Sequence, residues 1–228
     1  MNKKINISNR LKTIGDFTID NTKIVDVGCD HGLLSIYIYQ NKKNVKILAT
    51  DININPLNEA RKNIKNYGLE EKIQTRISNG LQNVNKDEID TIIISGLGGN
   101  TIVEILNNDL DKVISSKRII IQANNNIDKV RKFLVENKFL IKDEKLVSEN
   151  NIISTIIIFD RSSKKLKYSI DEILFGPVLL KEKSDLFKEL MKRKIKKQIY
   201  ILNKIPKKYI LKRIKIKRFI NKIKSHIS

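Results

Sequence analysis

Apolar residues in this chain fall into short runs that end in glycine or a carboxylate, separated by stretches with helical spacing. Ile24-Val25-Asp26-Val27 runs into Gly28 and predicts a buried strand, and a helix follows over 33–39. A second strand over 45–50 ends at Asp51. Residues 56–67 predict a helix, with Pro56 in its first turn and Gly68 at its stop. A third strand over 72–77 turns at Asn79-Gly80, and a fourth over 89–95 is closed by Gly96, Gly98 and Gly99. A helix over 100–106, a strand over 118–122 and a helix over 128–137 continue the alternation. Residues 139–147 and 152–159 predict a closing antiparallel hairpin. Strands alternating with helices imply a mainly parallel sheet covered on both faces, with ligands bound beyond the carboxyl ends of the strands.

The pattern changes at 161–165, the expected boundary between a domain over 1–160 and a tail over 161–228. After Gly176-Pro177, Phe187, Leu190, Met191, Ile195, Ile199 and Leu202 recur at helical spacing. Pro206 breaks the chain, and Ile216, Phe219, Ile220, Ile223 and Ile227 form a second stripe. Two amphipathic helices with a short connection predict an antiparallel helical hairpin, its stripes serving as packing faces.

Composition sharpens this division. Apolar residues make up 40% of 228, enough for an ordinary core. Residues 161–228 hold 22 Lys/Arg against 5 Asp/Glu, a net of +17, while 1–160 carry only +3. Lys, Ile and Asn are abundant throughout, yet a compositional bias of the source would spread charge evenly. A basic block on a nearly neutral domain points to a polyanion, either nucleic acid or an anionic membrane surface. One cysteine, Cys29, excludes an internal disulfide framework and predicts a reducing, cytoplasmic setting. The start of the chain has no apolar stretch behind its lysines and no run approaches a membrane span, so neither a secretory leader nor a membrane anchor is expected.

The strand ends carry the chemistry. Asp26-Val27-Gly28-Cys29-Asp30-His31-Gly32 is not a dinucleotide fingerprint, since that spacing needs glycine where Asp30 and Leu33 stand. A carboxylate in this turn would repel a pyrophosphate but attract the sulfonium and ammonium of S-adenosylmethionine. Asp51, 23 positions after Gly28, could accept both hydroxyl hydrogens of a ribose or cap the following helix. Asn79-Gly80 could contact an adenine edge or simply make a turn. Ser95-Gly96-Leu97-Gly98-Gly99 leaves room for a cofactor or a flat base. His31 could touch cofactor or base, or bond locally. Cys29 reads as a small buried filler. No His/Cys cluster has metal-ligand spacing, and no metal is expected.

These residues resemble the bacterial tRNA (adenine-22, N1)-methyltransferases, over essentially the whole chain. The matching stretches are Arg10-Leu11, the turn from Asp26 to Gly32, Gly68-Leu69, Asn79-Gly80-Leu81, Ile93-Ile94-Ser95-Gly96-Leu97-Gly98-Gly99 and Phe175-Gly176-Pro177. Two departures stand out: Leu97 where the family usually has Met, and Gln122-Ala123-Asn124 where it has Gln-Pro-Asn. The second leaves the roles of Gln122 and Asn124 open. The resemblance implies an α/β fold, a Rossmann-like class I methyltransferase domain with a C-terminal α-helical, coiled-coil-like hairpin. It implies methyl transfer from S-adenosylmethionine to N1 of a D-loop adenine in tRNA, by a chain expected to be a monomer.

The expected cofactor set is Asp26, Gly28, Asp30, His31, Asp51, Ile52, Asn79, Gly80 and Gly96. Asp30 is also the catalytic candidate, as a carboxylate near the positive charge that develops on adenine; holding the cofactor's ammonium is the competing role. Adenine N1 attacks with its own lone pair, so no general base is required. The fourth strand lacks the Asp/Asn-Pro-Pro-aromatic motif of N6-adenine methyltransferases, which argues for a ring nitrogen. Lys192, Arg193, Lys196, Lys197, Lys212 and Arg213 are the expected phosphate contacts. The alternatives are a methyltransferase of another RNA or of DNA, a non-catalytic RNA-binding protein on the same fold, and a membrane-surface protein.

Overall fold

The structure, a computed structural model, describes residues 4–164 and 166–227. Position 165 of the expected boundary, and the first three residues of the stretch read for a leader, lie outside them. The chain opens with α1 (Asn9–Asp16), whose N-cap Ser8 accepts from the Leu11 amide. The alternating unit follows as β1 (Lys23–Val27), α2 (Leu33–Asn41), β2 (Lys46–Asp51), α3 (Ile54–Asn66) and β3 (Ile73–Ile77). Then come β4 (Thr91–Leu97), α4 (Gly99–Asn108), α5 (Leu110–Ser115), β5 (Arg118–Ala123), α6 (Ile127–Glu136), β6 (Phe139–Glu149) and β7 (Ile152–Arg161).

The seven strands form one sheet in the order β3-β2-β1-β4-β5-β7-β6. β1 to β5 pair in parallel, and β7 runs antiparallel to both β5 and β6. The predicted closing hairpin is thus present, inserted so that its second strand lies beside β5. Successive side chains of β4 serve opposite faces. Ile92 and Ile94 pack with Ile102, Leu106, Val130 and Leu134 of α4 and α6. Ile93 packs on the other side with Ile14, Ile36, Leu57 and Ile64 of α1, α2 and α3. The strand order reverses between β1 and β4, which opens a crevice at their carboxyl ends.

β4 begins two residues later than its apolar run predicts. Asn85 and Glu88 form a capping box around a short 3-10 turn, Lys86–Glu88, with Ile89 as its C-cap. The Asp90 carboxylate then accepts from the Lys23 amide, and pairing with β1 starts beyond it.

The tail contains two short helices that its apolar spacing does not reveal, α7 (Ile170–Phe175) and α8 (Pro177–Glu182), ahead of α9 (Asp185–Lys204) and α10 (Ile210–Ile227). Phe175, Leu179, Phe187, Met191 and Ile223 form a third apolar cluster, against which Leu146 of β6 packs. A buried ion pair crosses this seam: Glu144, fully buried, accepts from Arg131 of α6 at 2.8 Å. The other Glu144 oxygen accepts from the amides of Val178 and Leu179 in the first turn of α8. Gly176 is required here, because a Cβ would lie 2.4 Å from that carboxylate.

Candidate active site

A cavity of about 560 Å³ sits at the carboxyl ends of β1 to β4, the size of an ordinary small-molecule site. Asp26, Gly28, Asp30, His31, Asp51, Ile52, Asn79, Gly80 and Gly96 all line it, so the fold gathers the whole expected cofactor set in one place.

The first turn is built by hydrogen bonding to β2. The amides of Gly28 and Cys29 both donate to the Thr50 carbonyl, at 2.8 and 2.9 Å. Gly28 takes φ +72°, and a Cβ there would meet nothing within 4 Å. Its glycine therefore serves the backbone and leaves open space on the cavity side. Asp30 also has positive φ, at 51°, and projects to the mouth with His31, whose Nε2 lies 3.5 Å from the Asp30 carboxylate. Both side chains are more than half exposed.

Asp26 lies deeper. It is buried and accepts from Ser35 Oγ at 2.8 Å. Burial pushes its pKa up to about 6, against the lowering effect of Ser35, and the neighbouring Asp51 adds to the rise. Cys29 is buried beside the same carboxylates, and burial followed by their charges pushes its thiol far up. It stays protonated, as a filler and not a nucleophile.

Asp51 does not cap α3; Asn53 occupies the N-cap position. Asp51 Oδ1 accepts instead from the Asn53 amide at 2.9 Å, and Oδ2 lies 3.4 Å from the Asp30 amide. The carboxylate is thereby fixed at the end of β2, with lone pairs left for a ligand. Gly80 takes φ +60°, and a Cβ would press on Ile105 of α4 at 2.8 Å. The Asn79-Gly80 turn is held by Ser78, whose hydroxyl donates to the Gly80 carbonyl, and it still presents Asn79 to the cavity.

The fourth strand end is organised by residues whose roles the sequence leaves open. Buried Gln122 accepts through Oε1 from the Gly96 amide at 3.0 Å and from Arg10 Nη1 at 2.9 Å. Its Nε2 donates to Asn124 Oδ1, and Asn124 Nδ2 donates to the Gly96 carbonyl at 2.6 Å. Gln122 and Asn124 thus brace the glycine turn from either side of Ala123. Arg10 and, from α4, Thr101 and Glu104 also line the cavity but are not among the predicted site residues. Arg10 stands in a stretch that matches the family but carries no local sign of its role, since its partner Gln122 lies 112 positions along the chain.

The expected phosphate contacts divide. Lys192, Lys196, Lys197 and Lys212 are exposed on α9 and α10. Arg193 is engaged with the Asn151 carbonyl and Glu189, both at 2.5 Å, tying α9 to the β6–β7 turn. Arg213 donates to the carbonyls of Leu202 and Ile205, closing the end of α9. Among the described residues no group of three or more His, Cys, Asp or Glu could hold a metal ion, and no helix is long and apolar enough to cross a membrane.

Strand order, the reversed seventh strand and a cavity ringed by Gly28, Asp51, Asn79 and Gly96 define a class I methyltransferase. Residues 24–225 match the family model described as TrmK: tRNA (adenine(22)-N(1))-methyltransferase, and the chain belongs to that family. The tRNA (adenine(22)-N(1))-methyltransferase of Bacillus subtilis strain 168 is 28% identical over 188 residues, covering 81% of this chain and 79% of that protein. Streptococcus pneumoniae Sp1610, a putative tRNA (m1A22) methyltransferase solved with S-adenosyl-L-methionine, superposes with a TM-score of 0.89 at 30% identity, covering 98% of this chain and all of that one. M. capricolum TrmK, solved with S-adenosyl-homocysteine, gives 0.85 at 35% identity over 97% of each chain.

Proposed function

We propose that the protein transfers a methyl group from S-adenosylmethionine to N1 of adenine 22 in the D-loop of tRNA. The observation that carries this is the cavity in which Gly28, Asp51, Asn79 and Gly96 meet, in a chain whose family match runs from 24 to 225. The cavity suits that cofactor. Carboxylates of Asp26, Asp30 and Asp51 ring it, complementary to a sulfonium and an ammonium, and open space lies at the Cβ positions of Gly28 and Gly96. S-adenosylmethionine, when bound, supplies the electrophilic methyl.

In this reading Asp51 accepts from the ribose hydroxyls, Asn79 and Ile52 flank the adenine, and Asp26 faces the ammonium. Adenine N1 needs no deprotonation, so the protein's work is alignment, exclusion of water and electrostatics. Asp30, exposed at the mouth, is placed to offset positive charge developing on the target base, with His31 beside it. Ser95-Gly96-Leu97-Gly98 stands where N6-adenine methyltransferases carry the acceptors that hold the amine, which favours a ring nitrogen. The target base must leave its stack to enter. Lys192, Lys196, Lys197 and Lys212 hold phosphates, with Arg193 and Arg213 steadying the helices that carry them. The enzyme acts as a cytoplasmic monomer, a reading supported by the lone reduced Cys29 and by tail helices whose buried stripes find their partners within the chain.

The test is methyl transfer from labelled cofactor to an unmodified tRNA transcript, mapped by reverse-transcription stops, beside a transcript with the D-loop adenine replaced by guanine. A stop at that adenine, absent from the replaced transcript, is expected. Equal labelling of both transcripts, or none with the cofactor bound, would overturn the substrate.

A further inference from the structure

Among the described residues beyond Ile170, every large apolar side chain that stays exposed lies at the far end of the α9–α10 hairpin. Tyr200, Tyr209 and Leu211 are 60%, 52% and 78% exposed. The predicted packing stripe fails at the same end, where Ile199 is 41% exposed. α9 has 20 residues, about 30 Å of helix, and its other end is seated through Phe187 and Met191. No described residue covers this tip, and it does not line the catalytic cavity.

Its charge calls for a polyanion, and its rings favour one that carries bases. No acidic residue follows Glu189, while Lys204, Lys207 and Lys208 surround the two tyrosines. Lys204 Nζ lies 4.5 Å from the Tyr200 ring centroid and Lys208 Nζ 5.4 Å from that of Tyr209. Each pair sets an aromatic face beside a cation, the arrangement that takes a base and its phosphate together. The connection is pre-organised: Arg213 bonds both the Leu202 and Ile205 carbonyls, and the Tyr209 amide donates to the Pro206 carbonyl at 3.1 Å. Bases inside a duplex are already stacked, so exposed rings of this kind need unpaired ones.

We infer that the hairpin tip is a second RNA-binding site, where Tyr200 and Tyr209 stack on unpaired bases of the tRNA other than the reacting adenine. This rests on the reading of the protein as a tRNA methyltransferase. Its effect falls on KM for tRNA, because the interaction is made before and during methyl transfer alike.

The experiment compares wild type with Tyr200→Ala/Tyr209→Ala, Tyr200→Phe/Tyr209→Phe and Lys204→Gln/Lys207→Gln/Lys208→Gln. Readouts are tRNA affinity across a salt series, KM against kcat, cofactor affinity, and sedimentation with vesicles of phosphatidylserine and phosphatidylcholine. The alanine pair is expected to bind tRNA about tenfold more weakly per tyrosine, with an unchanged salt slope and cofactor affinity. The phenylalanine pair should bind as wild type. The lysine variant should lower the salt slope by about 0.7–0.9 for each phosphate it no longer neutralises. Wild-type tRNA affinity in the alanine pair would overturn the inference, as would an equal loss in the phenylalanine pair. Loss of vesicle binding with tRNA binding intact would assign the tip to membranes and overturn it too. Weakened tRNA binding by the alanine pair, with no methylation by wild type, would sustain the tip and discard the methyltransferase reading.

Discussion

Replacing Asp26 by asparagine tests whether the floor of the cavity gives up stability in exchange for charge. The carboxyl is buried, bonded to Ser35 Oγ, and titrates at about 6 against an ordinary 3.8. A carboxyl whose pKa rises on folding holds its proton more tightly in the folded chain. Its contribution to stability is therefore complete below about pH 4, declines between about pH 4 and 6, and is absent at neutral pH, where the ionised group stays buried. The shift is about two units, or about 3 kcal/mol at 1.36 kcal/mol per unit. Asparagine keeps an acceptor for Ser35 and has nothing to ionise. Cofactor-free Asp26→Asn is expected to match wild type near pH 4 and to exceed it by up to about 3 kcal/mol near pH 7.5. Urea unfolding of both proteins across that range measures the difference, and subtraction removes carboxylates of opposite sign such as Asp90 and Asp171, whose pKa values are lowered. Cofactor titration of the same samples should show weaker binding by the variant, as expected if ionised Asp26 faces the ammonium. Equal stability at neutral pH, or one pH slope for both proteins, would refute the burial argument.

Three further substitutions address the site and its support. Gly28→Ala should cost only about 1–2 kcal/mol, the strain of left-handed backbone, because its methyl meets no protein atom, yet loosen cofactor binding at least tenfold by calorimetry. Asp30→Asn keeps a residue tolerant of positive φ; it should lower methyl transfer more than cofactor affinity, and equal losses would assign Asp30 to the cofactor alone. Arg131→Met should destabilise by about 3–5 kcal/mol in urea unfolding by stranding Glu144, and adding Glu144→Gln should restore part of it; simple additivity would show the pair is not coupled.

Most of the parallel sheet was legible because β1, β2, β4 and β5 are buried on both faces and read as mainly apolar runs, each ending where the chain must turn, while the edge strand β3 is partly exposed. Gly28, Asp51, Asn79 and Gly96 were legible for the same reason: strand ends are local features, and the order of a parallel sheet brings them to one rim. The turn at Asp30 disfavoured a pyrophosphate ligand from the residue types alone. Tertiary structure decided whatever depends on distant partners. Arg10 and Gln122 became braces of the glycine turn only when α1 closed over β5, a meeting of segments that carry no mark of each other. Asp51 could have been a helix cap until Asn53 took that position. Glu144 and Gly176 lock the tail to the sheet through a carboxylate that sequence would place on any strand surface. The apolar stripe of α9 predicts burial along its whole length, but helical spacing records only which side chains share a face. Whether another element lies against that face is set by where the chain packs, and at Ile199 the side chain stays 41% exposed.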